Sequence, residues 1–372
     1  MCIRDRLELD HVGGADPKDL AQIRSGIAEA DVQQGRFADG VRHAQEAVRA
    51  LDGLPPESPA RLSAWRMLAR AQIAASDGAA ATATLEHALT VAYDALGADS
   101  YKTADVENDL AVALSSVGRY REAIAHLEKS LAIVRKLRPG EGAANAYTVM
   151  NLGSLYENLG DYARAEALMR EGVRAMEAET PDEAQLDFFR GNLARTLMLR
   201  GKFAEARELL LRAMRGIAAR DGEDSFNYAY QNFRRARLEL ADGRVDVAEQ
   251  AGGASRKVLE PLLPAQHGLR VQLHVLDAMI ARARGDLDAA WREFVAAEQM
   301  QAALGGDPVL LASVQQRAAG VALERGDLAV AREKLEAALR VIEASLLPQA
   351  VESVEAHGYM AELVRRESQA VR

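Results

Sequence analysis

The sequence predicts an all-α protein of about eight consecutive helical hairpins, each about 42 residues long, followed by one C-terminal helix. Two observations predict this fold. A turn residue, nearly always glycine, recurs at almost constant spacing along the 372 residues, and small residues recur at fixed distances on either side of it. Such a period is typical of a solenoid, in which each supersecondary unit buries its apolar face only against its neighbours.

The turn residue marks the middle of each predicted hairpin. When Ser76 fills the second turn, successive turn residues are separated by 41, 42, 42, 41, 42, 42 and 41 positions. Glycine suits such a turn because it adopts backbone conformations that a side chain disfavours. The other seven turn residues are Gly35, Gly118, Gly160, Gly201, Gly243, Gly285 and Gly326.

The helices before and after each turn carry small residues where the two backbones must approach closely. The residue seven positions before the turn is Ala or Gly in all eight repeats. The residues five and twelve positions after the turn, sixteen in all, are Ala, Gly or Ser. Larger apolar residues at neighbouring helical positions fill the remaining space. The small residues of the first helices are Ala28, Ala69, Ala111, Gly153, Ala194, Ala236, Ala278 and Ala319. Those of the second helices are Gly40, Ala81, Ala123, Ala165, Ala206, Ala248, Ala290 and Ala331, then Ala47, Ala88, Ser130, Gly172, Ala213, Ser255, Ala297 and Ala338.

This arrangement of small residues around a turn glycine resembles the tetratricopeptide repeat (TPR) motif over about residues 21–345. The unit is about eight residues longer than the 34-residue TPR and is similar to the repeat of kinesin light chains, which also occurs in bacterial serine/threonine kinases and signalling proteins. Residues 96–104 resemble the loop between repeats of that subtype, and Asn151-Leu152-Gly153 resembles its first helix. The resemblance implies a right-handed superhelical solenoid.

The two ends of the chain lie outside the predicted repeats. Residues 1–20 are expected to form an N-terminal tail, and Met1–Arg6 resembles the translated adapter scar of a truncated reading frame, so we expect the natural protein to extend upstream. Residues 346–372 are expected to form a capping helix and a frayed end that begins at Arg366. The residues predicted to cover the last hairpin are Val351, Val354, Met360 and Leu363.

Composition excludes several classes of partner. The net charge of −9 leaves no basic stripe, so the electrostatic attraction that dominates nucleic-acid binding is missing. No apolar run reaches the roughly 18 to 20 residues that span a bilayer. We therefore expect no nucleic-acid partner, no membrane partner and a cytoplasmic protein.

The sequence offers no pattern for catalysis, a cofactor or a metal. Cys2 is the only cysteine, and no Cys, Asp or Glu completes a metal site with His267 and His274. Phosphate-binding glycine loops, nucleophile elbows and kinase signatures are also missing from the sequence. We predict that the chain is not an enzyme and holds no cofactor or metal.

The TPR resemblance implies that the first helix of each hairpin lines a concave groove that binds a partner. Aromatic residues there supply rigid apolar area, while Asn and Arg recognise peptide amides and carboxylates. An alternative is that the aromatics pack against the next hairpin and the arginines form a solvated face. The predicted groove residues are Arg66, Arg70, Asn108, Tyr147, Asn151, Asn158, Phe188, Asn192, Arg195, Tyr230, Arg234 and Arg237.

Three functions follow from this interpretation. The first is a protein-interaction scaffold that binds a peptide or helical segment of another protein. The second is the C-terminal regulatory or sensor region of a larger bacterial signalling enzyme, such as a serine/threonine kinase truncated upstream. The third is an architectural spacer or self-associating array, and the fold by itself does not rank the three.

Overall fold

The computed structural model of the protein describes residues 16–33, 36–56, 58–75, 77–180, 184–265 and 267–370. Within these ranges the chain forms seventeen α-helices and no strand. The predicted all-α fold of helical hairpins with a final helix is confirmed. Residues 1–15, which include most of the predicted tail, the adapter-like segment and Cys2, lie outside the described residues.

The chain divides after Glu141 into two compact units. The first contains three hairpins, in each of which two consecutive helices pack against each other. The helices are α1 (Pro17–Gln33), α2 (Phe37–Ala50), α3 (Pro59–Ala74), α4 (Gly78–Leu96), α5 (Tyr101–Ser116) and α6 (Tyr120–Leu137).

The second unit contains five hairpins and a final helix that packs on the last of them. Its first two hairpins are α7 (Gly142–Leu159) with α8 (Tyr162–Glu179) and α9 (Gln185–Leu199) with α10 (Phe203–Asp221). The next helices are α11 (Phe226–Ala241), α12 (Val245–Leu262), α13 (Gly268–Ala283), α14 (Leu287–Leu304), α15 (Pro308–Arg325), α16 (Leu328–Ser345) and α17 (Val351–Ala370).

The turns inside the hairpins have the backbone conformation that glycine permits. The six predicted turn glycines that the structure describes all have positive φ, from 70° at Gly201 to 94° at Gly160. Several second helices then begin with an aspartate whose side chain accepts a hydrogen bond from the first turn, as Asp286 does from the Ala289 N–H at 2.9 Å. Turn residues Gly35 and Ser76 lie outside the described residues.

All twenty-four predicted small residues are buried. At Gly153 the reason is visible, because an added Cβ would lie 3.0 Å from Met169 Cγ and 3.4 Å from the carbonyl oxygen of Ala165. Side chains cannot be enlarged at such contacts without separating the helices. The periodic small residues therefore set how closely each pair of helices packs.

Helix α17 covers the last hairpin through a face that differs partly from the prediction. Leu363 is fully buried, but Val354 is 59% exposed, so its predicted role in the cap is wrong. Ser353 and Ala356, three residues apart on the helix, take the buried positions instead. The helix continues to Ala370, and Arg366 donates a 2.6 Å hydrogen bond to the carbonyl oxygen of Leu323.

Candidate functional site

The predicted groove residues all lie on first helices of hairpins. In the first unit, Arg66 and Arg70 lie on α3 and Asn108 lies on α5. In the second unit the other nine lie on three successive first helices. These are Tyr147, Asn151 and Asn158 on α7, Phe188, Asn192 and Arg195 on α9, and Tyr230, Arg234 and Arg237 on α11.

In the first unit, two aspartates pair with the predicted groove residue Arg66. Arg66 donates to Asp109 at 2.5 Å and to Asp105 at 3.0 Å, and both carboxylates lie on the neighbouring first helix α5. Burial opposes the charge of Arg66, but these two aspartates outweigh it and raise the pKa of the guanidinium. Arg70 is exposed and lies 3.9 Å from the same Asp109. The first unit therefore offers a ligand less free positive charge than its arginines suggest.

The three predicted groove aromatics do not stack on one another. Tyr147 is 48% exposed and packs edge-on against Phe189, with ring centroids 5.3 Å apart. Tyr230 stacks on Phe233 at 6.1 Å within its own helix, and Phe188 is half-buried. Tyr147 thus combines an exposed edge with a fixed position, which suits a contact to a ligand.

Arg195 is held by a buried carboxylate on the preceding first helix. Glu157 on α7 lies 2.6 Å from the Arg195 guanidinium and also accepts a hydrogen bond from the Thr196 hydroxyl. The Glu157 carboxylate is 3% exposed, whereas the Arg195 side chain is 31% exposed. The pair therefore fixes Arg195 on α9 while leaving part of its guanidinium accessible.

Arg234 and Arg237 have no such counter-ion. Neither forms an ion pair with any carboxylate of the described residues. Arg234 donates to Asn192 Oδ1 at 2.6 Å and lies 4.7 Å above the Tyr230 ring, while Arg237 lies 5.9 Å from the Phe233 ring centroid. Burial, together with the charge of Arg195, lowers the pKa of both arginines, and that of Arg237 falls to about 10. Both remain cationic at neutral pH.

Charged residues from four first helices of the second unit come together in one place. Arg237 feels the charges of Arg195, Arg317 and Glu157, which lie on α9, α15 and α7. Burial raises the pKa of the Tyr230 hydroxyl, but Arg234, Arg195 and Arg237 outweigh it and lower that pKa. We call this group the central cluster, consisting of Glu157, Arg195, Tyr230, Arg234, Arg237 and Arg317.

Sequence reasoning missed Arg317 and Glu157. Arg317 lies nine residues before its turn glycine, and Asn192 and Arg234 occupy the same place in their own repeats. The position nine residues before the turn glycine could therefore have identified Arg317 as a candidate groove residue. Arg317 lies 3.8 Å from Glu352 and 3.9 Å from Glu355 on α17, so its charge is partly neutralised within the unit.

A small cavity opens beside the central cluster between α9, α10 and α11. Its volume is about 10 Å³, room for about one water molecule. One wall carries arginines and the rest is apolar or backbone. The residues that line this α9–α11 cavity are Gly191, Ala194, Arg195, Met198, Leu210, Arg234, Arg237 and Leu238.

Across the part of the chain that the structure describes, no three His, Cys, Asp or Glu side chains are grouped to hold a metal ion. In the same ranges, none of the helices has both the length and the hydropathy needed to cross a bilayer.

Two family models with the description Tetratricopeptide repeat match the sequence. One matches residues 62–136 and 102–178, and the other matches residues 190–218. The predicted TPR resemblance is thus confirmed for these segments. No curated protein matches the sequence significantly.

Solved structures with a similar fold include two Rap proteins. A Rap protein complexed with Competence and Sporulation Factor is 12% identical, with a TM-score of 0.58 over 95% of this chain and 98% of that chain. The Rap conjugation gene regulator of plasmid pLS20, in complex with the Phr* peptide, is 11% identical, with a TM-score of 0.60 over 88% of this chain and 96% of that one. A putative kinesin light chain of Podosopora anserina with TPR-like repeats is 25% identical, with a TM-score of 0.48 over 55% of this chain and 97% of that one.

Proposed function

Because the chain carries tetratricopeptide repeats, we propose that it is a protein-interaction scaffold that binds a peptide or helical segment of another protein along the first helices of its second unit. The observation that carries this proposal is the charge of the central cluster. Four arginines meet one glutamate there, and Arg234 and Arg237 have no carboxylate partner among the described residues. Such a surface is complementary to an anionic ligand.

The predicted groove residues fit this role in different ways. Arg195, Arg234 and Arg237 supply positive charge, Asn192 fixes the Arg234 guanidinium, and Tyr147 supplies an exposed aromatic edge. The other predicted groove residues of the second unit lie on the same first helices. They are Asn151, Asn158, Phe188 and Tyr230. In the first unit, we propose that Arg66, Arg70 and Asn108 contribute less to ligand binding, because Arg66 already forms ion pairs with Asp105 and Asp109.

The fold comparison supports the same class of ligand. The pLS20 Rap regulator was solved with the Phr* peptide. That protein shares the helical-hairpin fold, and its ligand shows that the fold accommodates a peptide. The central cluster supplies the argument specific to this chain.

The experiment is a peptide display selection against the full chain, followed by fluorescence anisotropy with the selected peptides. Arg195→Glu/Arg237→Glu should weaken binding roughly tenfold or more, because it reverses two charges facing the ligand. Arg174→Glu/Arg215→Glu is the matched control, since it makes the same charge change at exposed sites on α8 and α10. Helical content and melting temperature are measured for both variants.

Two results would contradict the proposal. One is that no peptide is retained by the folded chain. The other is that Arg195→Glu/Arg237→Glu binds the selected peptides as tightly as the control variant does.

A further inference from the structure

We propose that the α9–α11 cavity is a binding site for a single halide ion, such as chloride, held by N–H groups of Arg195, Arg234 and Arg237. This inference goes beyond the scaffold function and does not depend on which partner the scaffold binds. Three observations carry it: the positive charge at the cavity wall, the buried N–H donors there without an acceptor, and the size of the cavity.

The arginines at the cavity wall carry more positive charge than nearby carboxylates balance. Arg195 pairs with Glu157. Arg234 and Arg237, about one helical turn apart on α11, form no ion pair within the described residues. A partly buried cation without a counter-ion is costly, and a bound anion offsets that cost. The charge at this wall therefore favours an anion over a neutral occupant.

Buried N–H groups without an acceptor lie on the same side chains. The Nε atoms of Arg195 and Arg234, and the Nη1 atom of Arg234, are buried and form no hydrogen bond within the described residues. The Nε2 atom of Gln231, a fully buried residue, likewise has no acceptor there. Buried donors of this kind normally have an acceptor, so we expect a bound species to supply one.

The backbone of Gly191 brings these donors to the cavity. Gly191 lines the cavity, and a Cβ at this position would lie 2.5 Å from Arg234 Nη1 and 2.8 Å from Gln231 Oε1. The unpaired Arg234 Nη1 therefore lies at the wall that Gly191 forms. A residue with a side chain would take up the space beside it.

The apolar part of the lining distinguishes a halide ion from a water molecule. The other lining side chains are apolar and at most 9% exposed; they are Ala194, Met198, Leu210 and Leu238. A water molecule could accept hydrogen bonds from the arginines, but these four side chains offer no oxygen to its own hydrogens. A halide ion only accepts, so arginine donors on one side and apolar groups on the other suit it. Water that donates to Gln231 Oε1 is the competing occupant.

The size of the cavity excludes larger anions. Its volume of about 10 Å³ is room for about one water molecule. A carboxylate, a phosphate or a sulfate has several heavy atoms and does not fit. A chloride ion is only slightly larger than a water molecule, bromide is larger than chloride, and iodide is larger still. A site of this size therefore prefers the smaller of these halides.

The experiment measures the NMR line width of chloride in the presence of the full chain. Chloride that exchanges with a site on a protein relaxes faster than free chloride, so binding broadens the line. Bromide or iodide is added as a competitor, and sodium gluconate keeps the ionic strength constant. We expect bromide to remove the broadening at several-fold lower concentration than iodide. Adsorption to exposed arginines has the opposite order, because iodide is the most weakly hydrated of the three ions.

Two variants locate the site. Arg234→Gln/Arg237→Gln should reduce the broadening at least several-fold, whereas Arg174→Gln/Arg215→Gln, with the same charge change at exposed sites, should retain it. Removing two unpaired charges leaves no carboxylate without its partner, so the first variant is expected to fold. Gly191→Ala keeps every charge but places a methyl group against Arg234, and it should reduce the broadening to a similar extent. Circular dichroism confirms that each variant is folded.

Crystals soaked in bromide show the position of the ion directly. Anomalous scattering should place a bromide ion among the side chains of Arg195, Arg234 and Arg237.

Three results would overturn the proposal. Iodide could compete better than bromide, the folded Arg234→Gln/Arg237→Gln variant could broaden the line as much as its control, or the soaked crystals could hold water and no bromide in the cavity. No peptide enters these measurements, so a failure of the proposed scaffold function leaves them unaffected.

Discussion

The backbone N–H of Leu347 donates a 2.9 Å hydrogen bond to the carbonyl oxygen of Leu159, which joins the connection before α17 to the last residue of α7. The Tyr162 hydroxyl accepts a second bond of 2.9 Å from the N–H of Val351. Both contacts lie within the second unit. They connect its first hairpin to its last helix, so this unit is closed on itself around the central cluster.

The closure contact constrains Gly160 in a way that Gly201 is not constrained. Gly160 and Gly201 both have positive φ, so alanine strains the backbone at either site by roughly 1–2 kcal/mol. Only at Gly160 would the new Cβ meet another segment, 2.5 Å from Ala350 Cβ and 2.7 Å from its Cα. We expect Gly160→Ala to lower the free energy of unfolding by at least about 1 kcal/mol more than Gly201→Ala, as measured by urea denaturation. Equal losses at the two sites would show that the closure contact is loose in solution.

The Tyr162 hydroxyl stabilises the same junction by a single hydrogen bond. Tyr162→Phe removes the acceptor of the Val351 N–H, so we expect a loss of about 1 kcal/mol and faster amide hydrogen exchange at Val351. Tyr228→Phe is the control, because the half-buried Tyr228 hydroxyl has no hydrogen-bond partner among the described residues. Exchange at Val351 that is unchanged by Tyr162→Phe would contradict the role of this bond.

The repeat register was predictable from the sequence because hairpin packing is local. Each small residue contacts a helix of its own or an adjacent hairpin, so its position recurs with the period of the chain. Gly153 and Gly160 illustrate this: one needs space for Met169, and the other needs a positive φ. Glycine at these two positions of the sequence is enough to indicate both requirements.

The closure of the second unit was not predictable in the same way. Leu159 and Leu347 meet through backbone atoms, which carry no signature in the sequence. The charge state of the groove was only partly predictable. The register places Arg66 and Arg195 on first helices. It does not show that Asp109 and Glu157 on neighbouring hairpins form ion pairs with these two arginines, whereas Arg237 has no carboxylate partner among the described residues.

Ala206 tests the small-residue pattern directly. It is fully buried within the core that α9 and α10 form, and leucine would add three carbon atoms where two helices meet. We expect Ala206→Leu to destabilise the protein by about 1–3 kcal/mol in urea denaturation. Ala219→Leu, at an exposed site on the same helix, should change stability by less than about 0.5 kcal/mol. A tolerated leucine at Ala206 would mean that the hairpin does not depend on close backbone approach there.

Glu166 gives the second unit an acid-sensitive contact. The carboxylate accepts hydrogen bonds from Lys202 at 2.7 Å and from Arg170 at 2.8 Å, and it also contacts Arg200. Burial opposes its ionisation, but these cations outweigh burial and lower the pKa of Glu166 from 4.5 to about 2.

Since the folded-state pKa of Glu166 lies below the unfolded value, its stabilisation is complete above pH 4.5 and is lost as the pH falls towards 2. Glu166→Gln should therefore lower the free energy of unfolding by about 2 kcal/mol at pH 7, and this difference from the wild type should shrink steadily below pH 4.5. Glu208→Gln, at an exposed site on α10, should show no such dependence. Urea denaturation at pH 7, 4 and 2.5 measures all three proteins, and a difference for Glu166→Gln that stays constant over this range would refute the assigned pKa.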